Sequence, residues 1–303
     1  MQKKISITKI GQFAGHVNSI YSILPSFQEN KVYTGGADGY VVEWDLNSKG
    51  DGLMICRLPK PIYSMLVLPL SKLLLVGTAS GNLHVIDLNQ NAEIKNIELH
   101  SLGILDLSLL DSQIISAGGD GIIGVLDAND FKVIRMMKAS EKSARVLTTN
   151  ARSGEVAVGF SDHRIRIYDA KTWELKQVLH EHTNSVFALT YSPDGQYLLS
   201  GGRDVQLKRW KTGLVYQLMN DLPAHNLHIN QIAFCPDGRY FITVSMDKTI
   251  KIWDSKSFEL LKVIDKVRND SHINSVNKVY WVNQTHFATV SDDKLLMFWK
   301  LNS

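Results

Sequence analysis

The chain has 303 residues, 44% of them hydrophobic and 21% charged, which is enough apolar material to bury a large core and excludes disordered, collagen-like and disulfide-stapled architectures. Its 33 Lys and Arg against 30 Asp and Glu give a net charge of +3 with no basic run that would track a phosphate backbone, so nucleic acid is not an expected partner. Apolar stretches such as Met65 to Leu70 and Leu73 to Val76 fall far short of the ~18 residues of a membrane-crossing helix, and no membrane contact is expected either.

In chain order, Lys4 to Phe13 reads as a strand that precedes any repeat. The start has no continuous apolar region and no small-residue cleavage site, which predicts a cytoplasmic address. The chain then repeats itself. Seven segments share a fixed spacing, in which the first residue lies six before an aromatic or aliphatic one: Asp38 to Trp44, Ser80 to Ile86, Asp120 to Leu126, Asp162 to Tyr168, Asp204 to Trp210, Asp247 to Trp253 and Asp293 to Trp299. Successive members of the second set are 42, 40, 42, 42, 43 and 46 residues apart. One unit fills the chain.

Within a unit, runs such as Arg164-Ile165-Arg166-Ile167-Tyr168 place apolar side chains on one face with period two, which predicts strands. A second β-rich run precedes each, for example Tyr197 to Ser200 or Tyr240 to Thr243. Asp38-Gly39, Ser80-Gly81 and Asp120-Gly121 between the two runs are hairpin signals. Upstream, Ser192-Pro193-Asp194-Gly195 and Cys235-Pro236-Asp237-Gly238 signal another turn. Each unit thus supplies four short antiparallel strands, and no segment has helical periodicity. Four strands cannot bury both faces alone, so the expected fold is all-β: seven blades in a ring, residues 1–303 forming one seven-bladed propeller, with residues 4–13 completing the last blade.

With Gly15-His16 ahead of the first unit and equivalent histidines at His182, His225 and His272, the chain resembles a WD-repeat (WD40) β-propeller over essentially its whole length. The resemblance implies that such a histidine bonds a Ser or Thr and an Asp, and that the strand Trp completes the chain. Four units carry the full set: His16, Thr34, Asp38, Trp44; His182, Ser200, Asp204, Trp210; His225, Thr243, Asp247, Trp253; and His272, Thr289, Asp293, Trp299. His100 is a looser match in unit three, where Leu126 replaces the tryptophan. Leu58, Val76, Ser80 and Ile86 replace all four members in unit two, and Ser140 and Val158 stand at the His and Ser positions of unit four. Units two to four are expected to depend more on apolar packing and to open first in hydrogen exchange.

A Ser-His-Asp trio repeated at one period is a structural element, since a nucleophile site is built once in a cleft. Phosphate-cradling loops, Cys-x-x-Cys, His-Glu-x-x-His and Gly-x-Ser-x-Gly do not occur. Cys56 and Cys235 are too far apart to pair as metal ligands and read as small core residues. His180-Glu181-His182 is not a metal site if His182 belongs to the buried network. No catalytic residue, metal or cofactor is expected.

Because the histidine and the turn Asp share one rim, the resemblance places partner contacts there, at the third and fifth residues after each histidine and just before each turn Asp. On this chain those positions include Tyr21, Tyr63, Arg145, Phe187, Arg203, His228, Asn230, Met246 and Asp292. Such aromatics and arginines are enriched in interaction hot spots, and the arginines suit an acidic or phosphorylated peptide. The longest insertion, around Asp265 to Asp270, is a second expected contact on that rim. The expected function is a non-catalytic, monomeric scaffold for another protein or peptide. The alternative is an enzyme or small-ligand binder using the axial pocket, which would show clustered unpaired carboxylates there.

Overall fold

A computed structural model describes residues 5–48 and 50–302. After β1 (Ser6–Ala14), blade 1 contains β2 (Ile20–Pro25), β3 (Lys31–Gly36), β4 (Tyr40–Asp45) and β5 (Leu53–Arg57). Blade 2 contains β6 (Ile62–Leu68), β7 (Leu73–Thr78), β8 (Asn82–Asp87) and β9 (Ala92–Glu98), and blade 3 contains β10 (Ile104–Leu110), β11 (Gln113–Gly118), β12 (Ile122–Asp127) and β13 (Val133–Lys138). Blade 4 is β14 (Ala144–Asn150), β15 (Glu155–Phe160), β16 (Ile165–Asp169) and β17 (Leu175–Leu179); blade 5 is β18 (Val186–Tyr191), β19 (Tyr197–Gly202), β20 (Gln206–Lys211) and β21 (Gln217–Pro223). Blade 6 is β22 (Ile229–Phe234), β23 (Tyr240–Ser245), β24 (Ile250–Asp254) and β25 (Leu260–Ile264), and blade 7 is β26 (Val276–Trp281), β27 (His286–Ser291) and β28 (Leu295–Asn302) with β1 as its outer strand. Every sheet is four-stranded and antiparallel, and together they make a seven-bladed propeller.

The second and third strands of each blade are buried on both faces, as in β15 and β23 where all six residues are buried, and each face is covered by the next blade. The core therefore consists of seven clusters, one at each seam, and the seventh joins Ala288, Val290, Leu296 and Phe298 to Ile20, Val32, Val42 and Trp44. At that seam β1 pairs with β28 from Ser6↔Asn302 to Ala14↔Leu295. Lys4, the predicted start of this strand, lies outside the described residues. Phe13 of β1 is buried and stacks edge-on against Trp44 of blade 1, with centroids 6.0 Å apart.

Local chemistry sets the turns. The hairpin between the second and third strands needs a left-handed residue: Gly39 has φ +77°, and a Cβ there would stand 2.2 Å from the carbonyl oxygen of Leu58. In blades 4 to 7 the same corner is held by His163, Val205, Lys248 and Lys294, at φ of 71°, 61°, 71° and 69°. The Asp ending the third strand builds an Asx turn, its carboxylate accepting the N–H two residues on, as from Asp45 to Asn47 (2.9 Å) and from Asp127 to Asn129 (2.7 Å). The insertion departs from the sequence expectation of no helix. Lys266–Asn269 form a single turn, α1, because the Asp265 carboxylate caps the Arg268 N–H at 2.8 Å. Four residues are too few to show a helical period.

Candidate functional site: the channel mouth and its supports

The supports come first in the chain of causes. In blade 1, Trp44 Nε1–H donates to Thr34 Oγ1 (2.7 Å), His16 Nε2 lies 2.7 Å from that hydroxyl, and His16 Nδ1 lies 2.9 Å from Asp38 Oδ2. The indole can only donate, so the hydroxyl accepts from it and gives its own proton to Nε2, which leaves Nδ1–H for the carboxylate. His182 repeats the geometry with Asp204, Ser200 and Trp210 at 2.8, 2.7 and 2.9 Å. His225 does so with Asp247, Thr243 and Trp253 at 3.0, 2.7 and 2.9 Å, and His272 with Asp293, Thr289 and Trp299 at 2.9 Å throughout. Thr34, Ser200, Thr243 and Thr289 are wholly buried, so no substrate reaches these hydroxyls.

This wiring has an electrostatic cost that burial makes visible. Burial pushes the imidazoles of His16 and His225 below their ordinary range, against the pull of Asp38 and Asp247. Burial alone would raise Asp204, Asp247 and Asp293. Each is nevertheless held below the usual carboxylate range by its histidine and by backbone N–H groups such as that of Thr183 on Asp204. A neutral imidazole between a carboxylate and a hydroxyl leaves no buried polar atom unpaired.

Two of the three departing units keep a polar network, and so depend less on apolar packing than the sequence expectation has it. Blade 3 keeps its trio, with His100 3.0 Å from Asp120 and 2.8 Å from Ser116. In blade 4 the buried Arg166 takes the imidazole's place: its guanidinium forks onto Asp162, Ser140 Oγ–H donates to the same carboxylate (2.7 Å), and the Phe160 ring lies 4.5 Å away. The missing His and Ser signal that Asp162 needs another donor, without saying which residue supplies it. In blade 2 Leu58, Val76 and Ile86 are buried at three of these positions and Ser80 bonds to its neighbours Thr78 and Asn82, while the buried His84 lies 3.1 Å from Glu93.

The rim residues are positioned by a feature that sequence reasoning missed. In every blade the register between the innermost strand and the next slips at one residue: Tyr21, Tyr63, Leu105, Arg145, Phe187, Asn230 and Asn277. A β-bulge takes that residue out of the ladder and re-aims its side chain. Five of the seven, from five blades, line one cleft of about 400 Å³ together with Leu102, Gly119 and Ser143, which blades so far apart can do only at the ring's axis. Tyr21 and Tyr63 meet edge to face at 5.8 Å, and Phe187 meets His228 at 5.3 Å. The Arg145 guanidinium lies 5.2 Å from the Phe187 centroid and donates through Nε to Ser161 Oγ at 2.8 Å.

Charge gathers on one side of this mouth. Burial and the neighbouring Arg203 lower the basicity of Arg145, and burial, Arg203 and Arg145 together push His228 down. Arg203 and Met246 are exposed. Two predicted contacts are already engaged, contrary to their expected exposure. Asn230 Nδ2–H donates to Ser275 Oγ and to the Val276 carbonyl, both at 2.9 Å, and Asp292 accepts from Asn277 at 2.8 Å while Asn277 also reaches the Ile20 carbonyl. These amides brace the seams between blades. The insertion is likewise tied down: Lys9 of β1 and Lys266 both contact the Asp270 carboxylate.

Of the cysteines, Cys235 is fully buried and Cys56 half-buried, and burial pushes the Cys56 thiol up to about 12. Asp106, on an inner strand, is pushed up by burial, yet both its oxygens accept backbone N–H groups, from Leu107 at 3.0 Å and Leu147 at 2.9 Å. Among the described residues no cluster of three His, Cys, Asp or Glu is placed to hold a metal ion, and no helix is long and apolar enough to cross a membrane.

Comparison with known proteins adds the following. The family described as "WD domain, G-beta repeat" matches residues 7–45, 173–210 and 216–254. WD repeat-containing protein 90 of Xenopus tropicalis is 27% identical over 48% of this chain and 9% of its own length. Protein groucho of Drosophila melanogaster is 26% identical over 61% of this chain and 26% of its own, and Autophagy-related protein 16 of Arabidopsis thaliana 25% identical over 67% and 40%. The chain spans well under half the length of each of these relatives.

Proposed function

We propose that this seven-bladed propeller, three segments of which match the WD-repeat family, is a cytoplasmic, non-catalytic, monomeric scaffold that holds another protein at the mouth of its channel, gripping an acidic or phosphorylated segment. The observation that carries the reading is the bulged Arg145, stacked on Phe187 beside Arg203 and His228 in an open cleft. Fixed guanidinium groups next to aromatic faces combine charge-assisted hydrogen bonding with a desolvated apolar floor. Tyr21, Tyr63 and Met246 supply further apolar contact. Asn230 and Asp292 act indirectly, by holding the seams that shape the mouth.

The test is capture of partners by the wild-type chain and by an Arg145→Glu, Arg203→Glu double variant, followed by anisotropy titration of the captured segment in phosphorylated and unphosphorylated forms. The expected result is a loss of about tenfold or more in affinity with the melting temperature nearly unchanged. Undiminished binding by a folded double variant would overturn the reading.

A further inference from the structure

On the opposite rim, where the first hairpin of each blade and the turn after its third strand emerge, a cleft of about 320 Å³ opens between blades 5 and 6. Its floor is apolar, with Leu199 and Phe241 both buried. Arg209 of β20 reaches into it from blade 5. The guanidinium Cζ lies 5.1 Å from the Tyr197 centroid and 4.8 Å from that of Phe258, so it is held between two rings.

What matters is what Arg209 lacks. It donates through Nε to Asn220 Oδ1 at 2.8 Å and through Nη1 to the carbonyl oxygens of Ser255 and Lys256 at 3.2 and 3.4 Å, all of them neutral acceptors. Among the described residues no carboxylate lies within ion-pair distance of it. By contrast, the adjacent Lys208 on the same strand is neutralised by Asp221, and Arg166, at the position of Lys208 in blade 4, by Asp162. Lys256, exposed at the mouth, has no ion pair either. Of the two carboxylates that line the cleft, Asp237 is paired with Arg239 at 2.6 Å, and Asp194 is turned onto Ser192 Oγ and the Gln196 N–H, within no ion pair. Arg209 and Lys256 against the single unpaired carboxylate of Asp194 leave the lining net positive over an aromatic floor, and an immobilised guanidinium with free N–H groups suits a carboxylate.

We propose that this cleft is a second docking site, independent of the channel mouth, for a polypeptide segment that inserts an aromatic or aliphatic side chain and presents an adjacent Asp or Glu to Arg209 and Lys256. The propeller would then hold two partners on opposite rims.

The probe is a fluorescent, flexible Gly/Ser peptide with a central Phe-Glu pair, compared with Phe-Lys and Ala-Glu versions, by anisotropy and by amide shifts of the folded chain. The Phe-Glu peptide is expected to bind and to shift the amides of Tyr197, Gly238 and Ser255, leaving those of Tyr63 and Phe187 unmoved. Lys256→Glu, a surface change, is expected to weaken it about fivefold, and Arg209→Lys, which keeps the charge and loses the fork, to weaken it as well. The Arg145→Glu, Arg203→Glu double variant is expected to bind it unchanged, which separates failure here from failure at the channel mouth. No binding of Phe-Glu, equal binding of Phe-Lys, or shifts confined to the channel mouth would each overturn the proposal.

Discussion

The guanidinium of Arg166 meets both oxygens of Asp162, at 3.2 and 2.7 Å, and so does in blade 4 what an imidazole does in its neighbours. Both side chains are mostly shielded from water, so removing the cation strands a carboxylate that has few other donors. Arg166→Met is expected to destabilise the fold by about 3 kcal/mol, and adding Asp162→Asn to recover a good part of that loss, because a neutral turn residue no longer needs a counter-ion. Urea denaturation of the three proteins checks this; a double variant no more stable than Arg166→Met would show that the pairing is not the cause.

That pair also marks the boundary of what the sequence discloses. The strands, their period and the turn residues are legible because each is a local property, a matter of alternation and of φ at one corner. The four complete networks are legible because their members stand at fixed offsets from each other. Arg166 is not, since in Arg164-Ile165-Arg166-Ile167 it reads as the solvent side of an alternating strand, and its burial depends on the adjacent sheet. The bulges that aim Tyr63 and Phe187 are invisible for a similar reason: register belongs to a pair of strands, and no single strand encodes it. Asn230 and Asp292 could be placed on the rim from their offsets, while their engagement with blade 7 could not.

Among the described residues, blade 2 has no imidazole or guanidinium on its hairpin residue Ser80, which bonds to Thr78 and Asn82, while Asn82 also donates to Asn96. Local opening there breaks the backbone bond from Ala79 to the Pro61 carbonyl (2.9 Å) but no side-chain network with that loop of the kind His225 makes in blade 6. In native-state hydrogen exchange the amides of β7 and β8 are expected to open before those of β23 and β24, where His225 links the same elements. Protection in β7 and β8 equal to that in β23 and β24 would count against a stabilising role for the networks.

Acid should loosen the ring in two stages. Burial holds His16, His100 and His225 below their ordinary 6.5 in the folded chain, so below that pH the unfolded chain binds more protons and stability falls as pH falls. Each imidazole contributes at most about 1.4 kcal/mol per pH unit in this window. Asp120, Asp204, Asp247 and Asp293 are held below 3.8; their stabilisation is complete above that value and is lost only as pH falls further, toward their folded values. Urea midpoints measured from neutral pH downward are therefore expected to drop first through the histidine range, and a His16→Gln, His225→Gln variant to show a shallower drop there. A midpoint that stays level until the carboxylates titrate would contradict the assignment of neutral, buried imidazoles.

Val205 occupies a corner where blades 1 to 3 have glycine, and does so at φ +61°. A β-branched side chain in the left-handed region crowds its own carbonyl, at a cost of about 1–2 kcal/mol, and the Val205 N–H and C=O remain engaged, with Gly202 and Ala224 at 3.2 and 3.0 Å. The corner is thus held in place by its hydrogen bonds against the preference of its residue. Val205→Gly relieves that crowding, gives back part of the gain as chain entropy in the unfolded state, and is expected to stabilise by about 0.5–1 kcal/mol. Lys248→Gly, at an unbranched residue with φ +71°, is expected to gain less. Thermal and urea unfolding of both variants decide the matter: a Val205→Gly protein less stable than wild type would mean that the packing of the half-buried valine outweighs its backbone strain.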